Sequence, residues 1–78
     1  MSQTYTYGKL RYNVENERYG VSSNGSWVEE GLHCGERLEV KIDGSWVPVR
    51  IELGEDWYLA GTPYRGKKLE NMPARIIV

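Results

Sequence analysis

A chain of 78 residues accommodates one small β domain, which we assign to residues 1–78. Its formal net charge of −1 gives no overall attraction to nucleic acid or to anionic membranes. Its one cysteine, Cys34, excludes an intrachain disulfide, and no segment has the roughly 18–20 apolar residues that a membrane span needs. We therefore expect a cytoplasmic protein without a membrane partner.

The first third of the chain predicts short strands separated by polar turns. Residues 8–12 alternate apolar with basic side chains, as a half-buried strand does. Residues 19–21 predict a second strand. The dipeptide Asn24-Gly25 is typical of a hairpin turn, and residues 26–28 would then pair back on the second strand.

The middle of the chain carries the clearest local signal, a hairpin with strands over residues 36–42 and 45–53. Its turn, Asp43-Gly44, tolerates the positive φ angles that a two-residue type I′ turn requires. Apolar residues face the same side on both strands, with Val40 opposite Val47 and Leu38 opposite Val49.

The last third predicts a strand at residues 57–60, one helical turn within residues 66–72, and a β-branched closing strand at residues 73–78. About six short strands with frequent turns indicate an all-β fold. We expect a small, strongly bent antiparallel barrel of the SH3-like type or, alternatively, a curled meander sheet.

The turn and strand of residues 24–28 resemble those of residues 43–47, which we interpret as the same hairpin chemistry used twice. Each segment carries a tryptophan. Trp27 and a third tryptophan, Trp57, stand beside apolar residues, so we expect both in the core.

Trp46 differs from the other two tryptophans. By strand alternation it points away from the apolar face and shares the opposite face with Pro48 and Arg50. A tryptophan beside proline and arginine on an outer face is typical of a partner-binding patch. The alternative is that another strand folds over it.

The segment Glu30-Gly31-Leu32-His33-Cys34-Gly35 holds the only histidine and the only cysteine. Neighbouring residues of an extended chain point to opposite faces, so His33 and Cys34 do not form a catalytic dyad without an unusual turn. Two donors are too few for zinc. We therefore expect either a structural loop, with Leu32 and Cys34 packed inward, or a partner-binding loop. We assign no catalytic residue, metal or cofactor.

Aromatic and basic residues gather near both ends of the sequence. If the first and last strands pair, they would form one surface of the kind that binds single-stranded nucleic acid by stacking and charge. The candidates for such a surface are Tyr7, Arg11, Tyr64, Arg65, Lys67 and Lys68.

Several stretches together resemble a known family. They are residues 8–13, 18–20, 30–36, 38–40 and 57–59, of which Gly-Leu-His-Cys-Gly-Glu is the most specific. The family consists of small domain-of-unknown-function proteins carried on conjugative transposons, plasmids and phages of Gram-positive bacteria, clostridia and relatives especially. The resemblance implies a bacterial mobile-element setting and no activity.

From these observations we expect a monomeric, non-enzymatic accessory module that acts by binding a protein partner. The candidate partner-binding residues are Trp46, Pro48, Arg50, His33 and Cys34. The alternative is single-stranded nucleic-acid binding through the basic and aromatic terminal segments.

Overall fold

A computed structural model describes residues 4–77 of the chain. It contains seven strands, so the expectation of an all-β fold is confirmed. The strands are β1 Tyr5–Asn13, β2 Arg18–Ser23, β3 Ser26–Glu29, β4 Arg37–Ile42, β5 Ser45–Leu53, β6 Trp57–Leu59 and β7 Pro73–Ile77. The helical turn predicted after residue 65 is a single 3-10 turn, Gly66–Leu69.

The seven strands form one curled antiparallel sheet in the order β3-β2-β1-β7-β4-β5-β6. A pure meander would place β3 beside β4, but β7 pairs with both β1 and β4 and occupies the middle of the sheet. The first and last strands therefore pair, which is the condition under which the terminal aromatic and basic residues share a surface.

The β4–β5 hairpin has the predicted register, with Val40 opposite Val47. Asp43 and Gly44 have φ angles of 51° and 82°, as a type I′ turn requires. The apolar face of this hairpin turns inward because burying Leu38, Val40, Val49 and Ile51 removes their side chains from water.

The core lies on the concave side of the sheet and receives residues from every strand except β3, together with loop and 3-10 residues. Its members are Leu10, Tyr19, Val21, Leu32, Leu38, Val40, Val49, Ile51, Trp57, Leu59, Leu69, Met72 and Ala74. Trp57 is in this core as predicted, and its indole N–H donates to the carbonyl oxygen of Glu17 at 3.1 Å.

The expectation for Trp27 is wrong, because its side chain is 40% exposed. Trp27 pairs with Ser22, which in turn pairs with Lys9. Directly paired residues share a face of a sheet, and Lys9 alternates with the buried Leu10. Trp27 therefore lies on the convex side, where β3, as an edge strand, has a neighbour on one side only.

We call the convex side of the sheet the outer face. It runs from Trp27 on β3 across β1, β7 and β4 to Trp46 on β5. Three of the predicted partner-binding residues, Trp46, Pro48 and Arg50, lie on this outer face.

Candidate binding face

Three aromatic rings meet in the middle of the outer face. Tyr7 lies edge-on to Trp46, with 5.6 Å between ring centroids, and Tyr5 lies 6.2 Å from Tyr7. Trp46 is half-buried and Tyr7 is 52% exposed. We call these three residues, with Arg75 and Glu39, the Trp46 patch.

Arg75 organises the Trp46 patch from the neighbouring strand β7. Its guanidinium carbon lies 3.9 Å from the centroid of the Tyr5 ring and 4.5 Å from that of Trp46. A guanidinium over the face of an aromatic ring is attracted by the negative potential of that face. Because Arg75 is opposite Tyr7 on one side and Glu39 on the other, strand register brings these groups together.

Glu39 holds Arg75 in this position through two charge-assisted hydrogen bonds. The Nε and Nη2 atoms of Arg75 donate to Glu39 Oε1 at 2.8 and 2.5 Å, and Nη1 donates to the Tyr7 hydroxyl at 3.3 Å. Burial alone would lower the pKa of Arg75, but the hydrogen bonds to Glu39 and Tyr7 outweigh it and raise this pKa above its ordinary value. The Arg75 guanidinium therefore stays charged throughout the physiological pH range.

Positive charge is concentrated on the outer face. Outer-face strand positions hold most of the ten lysines and arginines of the chain, namely Lys9, Arg11, Arg18, Arg37, Lys41, Arg50 and Arg75. Of the eleven acidic residues, Glu39 and Glu52 also lie at outer-face strand positions. The other acidic residues lie in loops, at turns or on β3. A chain with a net charge of −1 thus presents a basic, aromatic surface on one side.

The structure brings together the first three partner-binding candidates. Trp46, Pro48 and Arg50 occupy successive outer-face positions of β5, opposite Lys41, Glu39 and Arg37. Pro48 and Arg50 are exposed. Which of them touches a partner stays a prediction.

The other two partner-binding candidates lie elsewhere. His33 and Cys34 are both exposed, and Cys34 Sγ lies 3.3 Å from a carboxylate oxygen of Glu52, near the far end of β5. Glu52 lies six positions along β5 from Trp46, about 20 Å at the rise of a strand. The 30–35 loop and the Trp46 patch are therefore separate surfaces.

The inward packing expected for Cys34 is wrong. Leu32 fills the core, and its N–H donates to the carbonyl oxygen of Tyr19 at 2.8 Å. Gly35, with φ of 89°, then turns the chain toward β4 and leaves Cys34 on the surface. Within residues 4–77, no group of three or more His, Cys, Asp or Glu side chains is arranged to hold a metal ion.

The nucleic-acid candidates divide into two groups. Tyr7 and Arg11 lie on the outer face, although Arg11 is paired with Glu70 at 3.3 Å. The remaining four lie in or beside the 3-10 turn, away from the β1–β7 pairing. Tyr64 packs against the core, Arg65, Lys67 and Lys68 are exposed, and Lys67 borders a cleft shared with Glu55 and Asp56.

Sequence reasoning did not predict that Tyr5 and Arg75 lie beside Trp46. The signal for them is the outer-face alternation of Tyr5 with Tyr7 on β1. The alternation alone does not predict the contact with Arg75, because that contact depends on the pairing of β7 with β1.

Comparison with known proteins identifies the family. The model of a domain of unknown function, DUF5348, matches residues 8–76. The chain belongs to the DUF5348 family. This confirms the predicted resemblance to a domain-of-unknown-function family, and the DUF5348 match covers every strand except the first residues of β1 and the last residue of β7.

A solved structure supports the architecture. The chain is similar to the crystal structure of a protein from Ruminococcus gnavus, a clostridial relative, with 42% sequence identity and a TM-score of 0.78. The similarity covers 91% of this chain and 100% of that one.

None of the curated proteins matches the chain. No helix among the described residues has the length and apolar character needed to cross a bilayer.

Proposed function

We propose that the protein is a non-enzymatic accessory module that binds a protein partner through the Trp46 patch. The observation that carries the proposal is the preformed contact of Trp46 and Tyr7 with Arg75 on the outer face. Tryptophan, tyrosine and arginine are the residue types that dominate binding energy at protein interfaces. The resemblance to mobile-element proteins supports an accessory role in a bacterial mobile element.

Pre-organisation is the physical reason why this patch suits binding. Ordering a long side chain at an interface costs about 0.5–1.5 kcal/mol, which lowers affinity. Arg75 is already fixed by Glu39 and by the two rings beneath it, so a partner does not have to order it. Tyr7, at 52% exposure, offers a large ring whose position is also set.

Site-specific photo-crosslinking in the native host tests the proposal. We would place a benzoylphenylalanine at position 7 and, as the matched control, at position 58, since Tyr58 lies on β6 outside the Trp46 patch. We expect one cross-linked protein from position 7 that is absent from position 58 and is lost when Trp46→Ala is added. That protein, once purified, should shift the NMR signals of the patch. Identical products from both positions would contradict the proposal.

A second candidate function is single-stranded nucleic-acid binding by the same face. The observation that favours it is the sequence of outer-face residues along β1, where Tyr5 and Tyr7 are followed by Lys9 and Arg11. Stacking rings followed by cations are what sequence-tolerant single-strand binders present.

An NMR titration with a mixed 12-nucleotide single-stranded DNA at low and moderate salt tests this second function. Binding would shift the signals of β1 and β7 and weaken steeply as salt rises. Arg11→Gln should reduce the affinity, whereas Lys67→Gln with Lys68→Gln should not, because those lysines lie off the face. Equal losses in both variants would point to attraction without a defined surface.

A further inference from the structure

Two arginines lie directly opposite each other on the outer face, where β4 pairs with β5. Arg37 is the cross-strand partner of Arg50, and both side chains are exposed. Directly opposed residues have Cβ atoms about 5 Å apart, and like charges at that separation destabilise a sheet. Such a pair therefore lowers the stability of the folded chain.

The chain does little to neutralise this pair. Arg50 Nε lies 3.9 Å from Glu52 Oε2, the outer limit of an ion pair, and the Arg50 side chain is 56% exposed. Among residues 4–77, Arg37 has no acidic partner within 4.0 Å. Arg75 and Arg11, in contrast, each have a glutamate at hydrogen-bond distance.

A surface cleft of about 430 Å³ adjoins the two arginines. Its described lining consists of Arg37, Pro48, Val49, Arg50, Ala60 and Gly61. The described lining contains two cations and no acid, and two of its residues, Ala60 and Gly61, have small or no side chains. The cleft is large enough for one small anionic group together with the side chain that carries it.

We propose that Arg37 and Arg50 form an anion site that receives a carboxylate from an acidic segment of the protein partner, an inference that rests on the proposed function. Each guanidinium presents two parallel N–H groups that match the two oxygens of a carboxylate. Pro48 lies between Arg50 and Trp46 on β5, so the carboxylate would be bound on the same row of outer-face residues as Trp46, about 13 Å along the strand.

The charges around the pair favour an isolated carboxylate over a continuous polyanion. Glu39 follows Arg37 on the same face of β4, and Glu52 follows Arg50 on the same face of β5, each about 7 Å away at the rise of a strand. A nucleic-acid strand crossing the pair would bring successive phosphates against these two glutamates. A peptide can place one carboxylate between them and neutral side chains on either side.

Succinate is the probe that tests the site, at constant ionic strength set with sodium chloride. We expect the side-chain Nε–H signals of Arg37 and Arg50 to shift together and to saturate in the millimolar range. Arg37→Gln should weaken this binding at least tenfold. The control Lys41→Gln, on the same face of β4 but opposite Trp46, should change it less than twofold.

Thermal unfolding gives a second readout and verifies folding. Arg37→Gln removes a repulsion between exposed charges, so its Tm without succinate should equal or exceed that of the parent, and succinate should no longer raise it. No saturation, or equal saturation in Arg37→Gln, would overturn the anion site. Tighter binding of the 12-nucleotide DNA, with shifts extending to Lys9 and Arg11, would overturn the choice of a protein carboxylate.

The two proposals fail separately. The succinate titration contains no partner, so its failure removes the anion site and leaves the cross-linking result at position 7 intact. If succinate binds but position 7 captures no specific protein, the proposed function fails and the inferred source of the carboxylate fails with it.

Discussion

The two hairpins that carry Trp27 and Trp46 have the same turn geometry, but their tryptophans differ in how far they are exposed. Asn24 and Gly25 have φ angles of 52° and 80°, within 2° of those of Asp43 and Gly44. In each hairpin the tryptophan is the second residue of the following strand and lies on the outer face. Yet Trp27 is 40% exposed, whereas Trp46 is half-buried under Arg75.

The difference arises from the neighbouring strands. β3 is an edge strand, and the outer-face residue paired with Trp27 is the short Ser22. Trp46 lies near β7 and β1, which supply a guanidinium and a phenol ring. Local sequence thus sets the turn and the direction of the side chain, and tertiary neighbours decide how much of it is covered.

Replacing each tryptophan by alanine should give the largest contrast. We expect Trp46→Ala to lower the free energy of unfolding by about 2 to 3 kcal/mol, because it removes ring contacts and the lower face of the Arg75 stack. Trp27→Ala should cost less than about 1 kcal/mol. Urea unfolding of the two variants measures both values, and equal losses would contradict the assignment of Arg75 to the Trp46 ring.

The two turn glycines, in contrast, should behave alike. Gly25→Ala and Gly44→Ala should each cost about 1–2 kcal/mol, because a Cβ disfavours positive φ and no neighbouring atom would touch it at either site. The control is Gly54→Ala, where φ is not in the left-handed region and the nearest atom allows ordinary contact at 3.4 Å. Losses at Gly25 and Gly44 that differ by more than about 1 kcal/mol would show that the turns are not equivalent.

Alkaline pH should act on the sheet through Tyr19, which lies on β2, the first strand of the Trp27 hairpin. Burial, with Glu70, Tyr12 and Asp56 adding to it, raises the pKa of Tyr19 above 10.0. The folded state then holds this proton more tightly than the unfolded state. Its contribution is complete below pH 10.0 and is lost as the pH rises through the folded pKa.

Tyr19→Phe should therefore flatten the fall in stability above pH 10.0, while removing the hydrogen bond from its hydroxyl to the carbonyl of Gly66 at 3.0 Å. Urea unfolding of the parent and the variant between pH 7 and pH 11 measures the slopes. Identical slopes would show that another group controls the alkaline loss.

Acrylamide quenching of fluorescence should give the smallest but most direct contrast. Trp27→Phe should reduce quenching of the remaining tryptophans more than Trp46→Phe does, because Trp27 exposes more of its ring. If all tryptophans were shielded in the parent, the Trp46 patch would not be available to a partner at all.

Much of the fold follows from short-range patterns. Asp43-Gly44 and the alternation on either side of it predict the β4–β5 register correctly, because a two-residue turn leaves one register that buries both apolar faces. The closing strand also follows from its β-branched residues. Its place between β1 and β4 does not, because pairing over such distances depends on the whole core and has no local signature.

The candidate site is predictable only in part for the same reason. Strand alternation places Trp46, Pro48 and Arg50 on one face. Arg75 joins them through β7, and Cys34 leaves the interior because Leu32 occupies the space beneath the loop. Both outcomes depend on residues far away along the chain.

The central position of β7 has a consequence for synthesis. The ribosome makes β1 to β6 first, and until β7 emerges the β1–β2–β3 and β4–β5–β6 units share no strand pairing. Each unit then presents a bare strand edge, the kind of surface that recruits chaperones or other nascent chains. The strand that completes the Trp46 patch is thus also the one that covers both of these edges and joins the two units into one sheet.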